Sequence, residues 1–158
     1  MAMNEIRKLS KSLVPPSIGD LDLETAIREL VESFTIIENL QLQVNINIQE
    51  NTLNEVQKLN IYRVIQEQLS NIIKHANANL VFISMQQDGA TVNLVISDNG
   101  VGFDQKEKKR GIGLKNIRAR VRALDGKITI SSAPGKGCNL VISFPLLTSH
   151  HGLIVENN

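Results

Sequence analysis

The chain has 158 residues, of which 42% are hydrophobic and 21% charged, and a formal net charge of +1; this suits one ordinary globular domain with a real core. So little net charge, with one Tyr and four Phe, argues against a nucleic-acid partner. Cys138 is the only cysteine, which excludes an internal disulfide and fits a reducing compartment. With no run of ~18 to 20 apolar residues and no signal peptide, the expectation is a cytoplasmic chain without direct membrane contact, whatever anchors a longer parent protein in the inner membrane.

In chain order, residues 4–13 read as a short amphipathic helix with Ile6, Leu9 and Leu13 on one side. Pro15-Pro16 ends it, because proline lacks the helical N–H and disfavours helix in the residue before it. Asp22 is a candidate N-cap for a second helix, with Leu23, Ala26, Ile27, Leu30, Val31 and Phe34 at helical spacing. Residues 40–48 alternate apolar and polar without a break, the pattern of a half-buried strand. A third helix is predicted from Leu53 to Ala76. Two strands, 80–87 and 91–97, follow and are joined through Asp88-Gly89, a hairpin signal. Residues 103–110 have no useful periodicity and read as a mobile loop. A fourth helix runs from Leu114 to Leu124 with Gly126 placed to terminate it. Strands over 127–132 and 139–144 flank Pro134-Gly135-Lys136-Gly137, and the tail from Thr148 has no packing logic. This order predicts an α/β (α+β) two-layer sandwich, with a mixed, mostly antiparallel sheet and helices on one face.

The third helix carries the first chemical signal. At ~100° per residue, Glu67, Asn71, Lys74 and His75 fall within about a third of the circumference, while Ile65, Leu69, Ile72 and Ile73 point toward a core. A polar stripe is most often a solvated face. Here the residue types say more: Asn offers a neutral oxygen suited to magnesium, Lys a point charge for phosphate, and Glu a base. Asp98 shares the parity of Val92, Leu94 and Ile96, so its carboxylate should face the apolar side and need a donor there. An adenine amino group would serve. Asp98-Asn99-Gly100 also fits a simple turn in which Asp bonds its own backbone. Gly111-Ile112-Gly113 precedes a helix, where glycines let backbone N–H groups approach a phosphate; by itself this segment is better read as a flexible linker with an ordinary helix start. No P-loop, Rossmann, zinc or Ser-His-Asp pattern occurs.

In order and spacing, these segments resemble the ATP-binding domain shared by gyrase, a heat-shock chaperone, histidine kinases and mismatch-repair ATPases. Residues 61–76, Ile-Tyr-Arg-Val-Ile-Gln-Glu-Gln-Leu-Ser-Asn-Ile-Ile-Lys-His-Ala, look like the N box of the nitrate-sensor-like subfamily of bacterial histidine kinases. Asp98 to Phe103 resembles the first glycine box, Gly111 to Leu114 the second, and Gly135 to Cys138 the last. Residues 5–16 are similar to the end of that subfamily's dimerisation helix and its linker. The resemblance implies a Bergerat-type fold in residues 20–147, following a helix and linker remnant over 1–19 and preceding a disordered tail over 148–158.

By this resemblance, Asn71 would hold Mg²⁺, Lys74 would contact phosphate and His75 would line the pocket. Asp98 would bond the adenine amino group, with Gly100, Val101 and Gly102 of its box around the nucleotide. Gly111, Ile112, Gly113 and Leu114 would cradle phosphates beneath a lid made of 103–110. Glu67 matches the acidic position that activates water in the superfamily's ATPases, making it the candidate catalytic residue, with a place in the metal shell as the alternative in kinases. Cys138 stands where the last box usually has Thr and is a poorer donor. The implied reaction is transfer of the γ-phosphoryl group of Mg-ATP to a histidine on a dimerisation domain, with a response regulator downstream. No residue here matches that histidine, so no self-phosphorylation is expected. The rival readings are an ATP-driven machine of the gyrase type, an anti-sigma serine kinase, and a nucleotide-binding module without catalysis.

Overall fold

A computed structural model describes residues 22–36, 40–49, 51–106 and 111–147. The helix and proline stop expected before residue 20, and the tail after 147, lie outside them. The described elements are α1 (Leu23–Thr35), β1 (Gln41–Asn47), α2 (Glu55–His75), β2 (Leu80–Asp88), β3 (Thr91–Asp98), α3 (Ile112–Ala123), β4 (Lys127–Ser132) and β5 (Cys138–Pro145).

Each helix starts where the chain supplies what its first N–H groups need. Asp22 caps α1 by accepting from the Thr25 N–H at 3.1 Å. Asn54 and Gln57 form a reciprocal capping box at the head of α2. The buried Gln57 also donates through Nε2 to the Pro145 carbonyl at 3.0 Å, which ties the start of α2 to the end of β5. Lys74 and His75 lie in the last turn of α2, where the helix dipole favours positive charge. Gly126 does not end α3 in the expected way. Asp125 takes the left-handed conformation (φ 53), and the Gly126 N–H bonds back to the Val121 carbonyl at 2.9 Å. Gly126 is needed for space instead, since a Cβ there would press on Phe144 and Val121 at 3.1 Å.

The strands form one sheet in the order β1-β2-β3-β5-β4. β1 runs parallel to β2, and every other pair is antiparallel. A parallel neighbour needs a long crossover; the segment containing α2 supplies it. Register aligns the apolar residues into one inward layer: Met85 opposite Leu94 opposite Ile142, and Ile83 opposite Ile96 opposite Leu140. These side chains are buried together with Ile27, Leu30, Ile61, Ile65, Leu69, Ile117, Val121 and Leu124 from the helices. Strand residues of the other parity are half-buried or exposed, Ser84 apart. The helices therefore cover one face of a mixed, mostly antiparallel sheet, as expected. Asp98 is the last residue of β3 in the inward row, opposite Val81 on β2 and Cys138 on β5. The apolar layer thus ends in a carboxylate at the edge where α2 and α3 meet the sheet.

Candidate functional site

At that edge lies a hollow of ≈ 360 Å³ between α2, the head of α3 and the ends of β3 and β5. The polar stripe of α2 forms one wall, contributing Glu67, Asn71, Lys74 and His75. Gly111, Ile112, Gly113 and Leu114 form the opposite wall, and Asp98, Gly102 and Cys138 the floor. Two of the expected nucleotide contacts, Gly100 and Val101, do not line it. Gly100 is buried with its Cα against Ala76, where a Cβ would overlap the Ala76 carbonyl. The Val101 N–H donates to that carbonyl at 2.7 Å, and the Val101 side chain points outward and is exposed. These two residues lock the box onto the end of α2.

The first glycine box is held from several sides. Gly102 (φ 61) has no room for a Cβ beside the carbonyls of Ala133 and Gly137. Gly137 (φ 67) packs in turn against the Asp98 backbone, and the Gly135 N–H donates to the Val101 carbonyl at 2.7 Å. Asn99 faces away from the hollow: its Oδ1 accepts from the N–H groups of Asn79 and Leu80 at 3.1 and 3.0 Å.

Asp98 is only 7% exposed. Its Oδ1 accepts from the Gly100 N–H at 2.8 Å, and the Cys138 backbone N–H also donates to the carboxylate. Asp98 therefore makes the local turn with its own backbone, and it faces the apolar side as its parity predicted. Burial pushes its pKa up, and the two backbone N–H groups oppose that rise.

The second glycine box is open. Gly111 caps α3 without any side-chain bond, a Cβ on it would meet nothing within 4 Å, and Ile112 is 79% exposed. The first N–H groups of α3 thus lack a side-chain cap at the rim of the hollow, the arrangement that suits an anion. Gly113 packs directly onto the stripe; a Cβ would lie 2.6 Å from Glu67 Oε1 and 2.7 Å from Asn71 Oδ1. This contact brings the head of α3 against the oxygens of Glu67 and Asn71. Among the described residues no cluster of three or more His, Cys, Asp or Glu could hold a metal by itself. Asn71 Oδ1, with Glu67 Oε1 beside it at Gly113, suits magnesium instead, which uses one or two protein oxygens and takes the rest from phosphate and water. Of the expected lid, Phe103 lines the hollow and its N–H donates to Ser132 Oγ at 2.9 Å; residues 107–110 lie outside the described residues.

Sequence reasoning missed Gln68, Ile72 and Ala76, which also line the hollow. Gln68 is 4% exposed, and its Oε1 has no hydrogen-bond partner among the described residues; nor has Asn71 Nδ2. The available signal was a glutamine lying, at ~100° per residue, between His75 and Ile72 on the helical wheel.

Residues 56–148 match the family described as histidine kinase-, DNA gyrase B-, and HSP90-like ATPase. The chain belongs to this family. Within it, the chain is similar to sensor histidine kinases, as the N box and glycine boxes led one to expect. It is 38% identical over 135 residues to the signal transduction histidine-protein kinase/phosphatase UhpB of Salmonella typhimurium, covering 82% of this chain and 26% of that protein. With the histidine-protein kinase/phosphatase DegS of Brevibacillus brevis it shares 30% identity, over 93% of this chain and 38% of the relative. The chain therefore spans well under half the length of either. In fold it resembles the histidine kinase domain of a blue-light activated kinase of Erythrobacter litoralis, with a TM-score of 0.70 at 16% identity, covering 80% of this chain and 62% of that one.

Proposed function

We propose that this ATP-binding domain transfers the γ-phosphoryl group of Mg-ATP to a histidine on a dimerisation domain outside these 158 residues. The full protein would pass the phosphoryl group on to a response regulator, as a two-component sensor kinase working on the cytoplasmic side. The observation that carries this reading is the single hollow into which the α2 stripe, the Asp98 carboxylate and the open head of α3 all converge.

In the reaction a bond forms between an imidazole nitrogen and Pγ, the bond from Pγ to its bridging oxygen breaks, and ADP leaves with that electron pair. Such chemistry asks the protein mainly for positioning and charge neutralisation. The head of α3 at Gly111 and Gly113 receives phosphate oxygens, and Lys74 adds a positive charge. Asn71 would hold a magnesium ion, which would supply charge neutralisation at the phosphates. Asp98 accepts from the adenine amino group. Of the two carboxylates lining the hollow, Asp98 is engaged with backbone N–H groups. Glu67 lies at the phosphate end, free to take the proton given up by the attacking imidazole.

The test uses the chain with γ-labelled ATP and a separately expressed histidine-bearing dimerisation domain from a relative. The chain alone should bind ATP and stay unlabelled, and label stable to base but not to acid should appear on the added domain. Label on serine, or ATP binding with no transfer to any such domain, would favour the serine kinase or the binding module instead.

A further inference from the structure

Gln68 has no role in the machinery described so far, yet it is a polar side chain buried in the wall of the hollow with its acceptor oxygen unused. A buried amide oxygen without a donor is costly unless something supplies one. Folding has no use for it here. Its inward neighbours on α2 (Val64, Ile65 and Ile72) are apolar and buried, and an aliphatic side chain would complete that layer.

Its location within the hollow narrows the ligand. Gly113 packs against Glu67 and Asn71, which is the phosphate end on the nucleotide reading. Gln68 lies ~100° round the helix from Glu67, turned toward Ile72 and the sheet. There the floor is Asp98 and Cys138. Asp98 and Gln68 are the buried polar side chains of the lining, in contrast to the exposed rim at Gly111 and Ile112. A purine carrying an exocyclic 6-amino group presents two N–H bonds from one nitrogen.

We propose that Gln68 reads the base: its Oε1 accepts one hydrogen of the 6-amino group while Asp98 accepts the other, so that two residues select a 6-aminopurine. This rests on the nucleotide reading of the hollow. It adds a specificity-determining residue that the glycine boxes do not contain.

The experiment is calorimetric titration of the full chain and its Gln68→Met variant, in magnesium, with ATP and with the purine riboside triphosphate that lacks the 6-amino group. Wild type should bind ATP more tightly than the analogue. Gln68→Met should lose about fivefold in ATP affinity, the equivalent of one net hydrogen bond, and leave the analogue unchanged, so the two effects do not add. Equal loss for both ligands, or no loss for ATP, overturns the role of Gln68 while the nucleotide reading stands. Failure of the wild type to bind either ligand overturns both. Removing an unpartnered polar atom should leave the melting temperature equal or higher, and Gln68→Leu serves the same comparison if Gln68→Met does not fold.

Discussion

The two glycine boxes share a composition and differ in purpose. In the first, Gly100 and Gly102 are glycines because backbone carbonyls occupy the space of a side chain. In the second, Gly111 has open space around it, and what its lack of a side chain provides is access to the N–H groups of α3. Gly113 is intermediate, packed against the ends of two side chains that can move. One wall is therefore built into the fold and the other is left for a ligand to complete. The hollow has a fixed end at the first box and an open end at the second.

The contrast can be broken at its strongest point first. Gly102→Ala combines a left-handed backbone with overlap onto two carbonyls, and should cost about 3 kcal/mol or more, enough to threaten folding. Urea denaturation showing near wild-type stability would mean that the first box is not locked. Gly113→Ala should leave the fold intact and weaken ATP by about 2 kcal/mol, because Glu67 and Asn71 must shift to admit the new methyl; a melt combined with calorimetry separates the two effects. Asp98→Asn should lower ATP affinity by about 1.5 kcal/mol, the scale of a charge-assisted hydrogen bond.

Asp98 also predicts a pH response. Burial raises its folded pKa above the unfolded value, so the folded state binds this proton more tightly. Its burden on stability is present at neutral pH and is relieved as pH falls through the folded pKa. ATP affinity should weaken over the same acid window as the acceptor is neutralised, and Asp98→Asn should abolish both trends. The smallest effect belongs to the open box. Gly111→Ala, at φ −62 with free space around it, should change the stability of the ligand-free chain by no more than about 0.5 kcal/mol, because restriction of the unfolded state opposes the poorer capping by Ala. A clear loss of stability would show that Gly111 is packed after all.

Much of this was legible in the sequence because periodicity reports the faces of an element directly. The alternation over 40–48 gave β1, the stripe of α2 was visible as such, and parity alone turned Asp98 inward. What periodicity cannot report is the partner each face meets. Nothing local specifies that β1 lies parallel to β2 or that β5 inserts between β3 and β4, since those choices are settled by long-range packing. Glycines hide their reason as well: conformational freedom, close approach and ligand access leave the same letter, which is why Gly100 and Val101 were expected around the nucleotide and instead hold the end of α2. Gln68 escaped notice because its helical angle falls between stripe and core, where a polar residue gives no pattern.

Val101 has a consequence of its own. Its amide and carbonyl clamp the end of α2 to the 133–137 turn, while its side chain stands in solvent on the outer surface. It is therefore a stationary landmark with an accessible handle. A fluorophore mounted there would barely disturb the interior, and a second one on the α3 rim would turn any opening or closing of the hollow into a measurable distance.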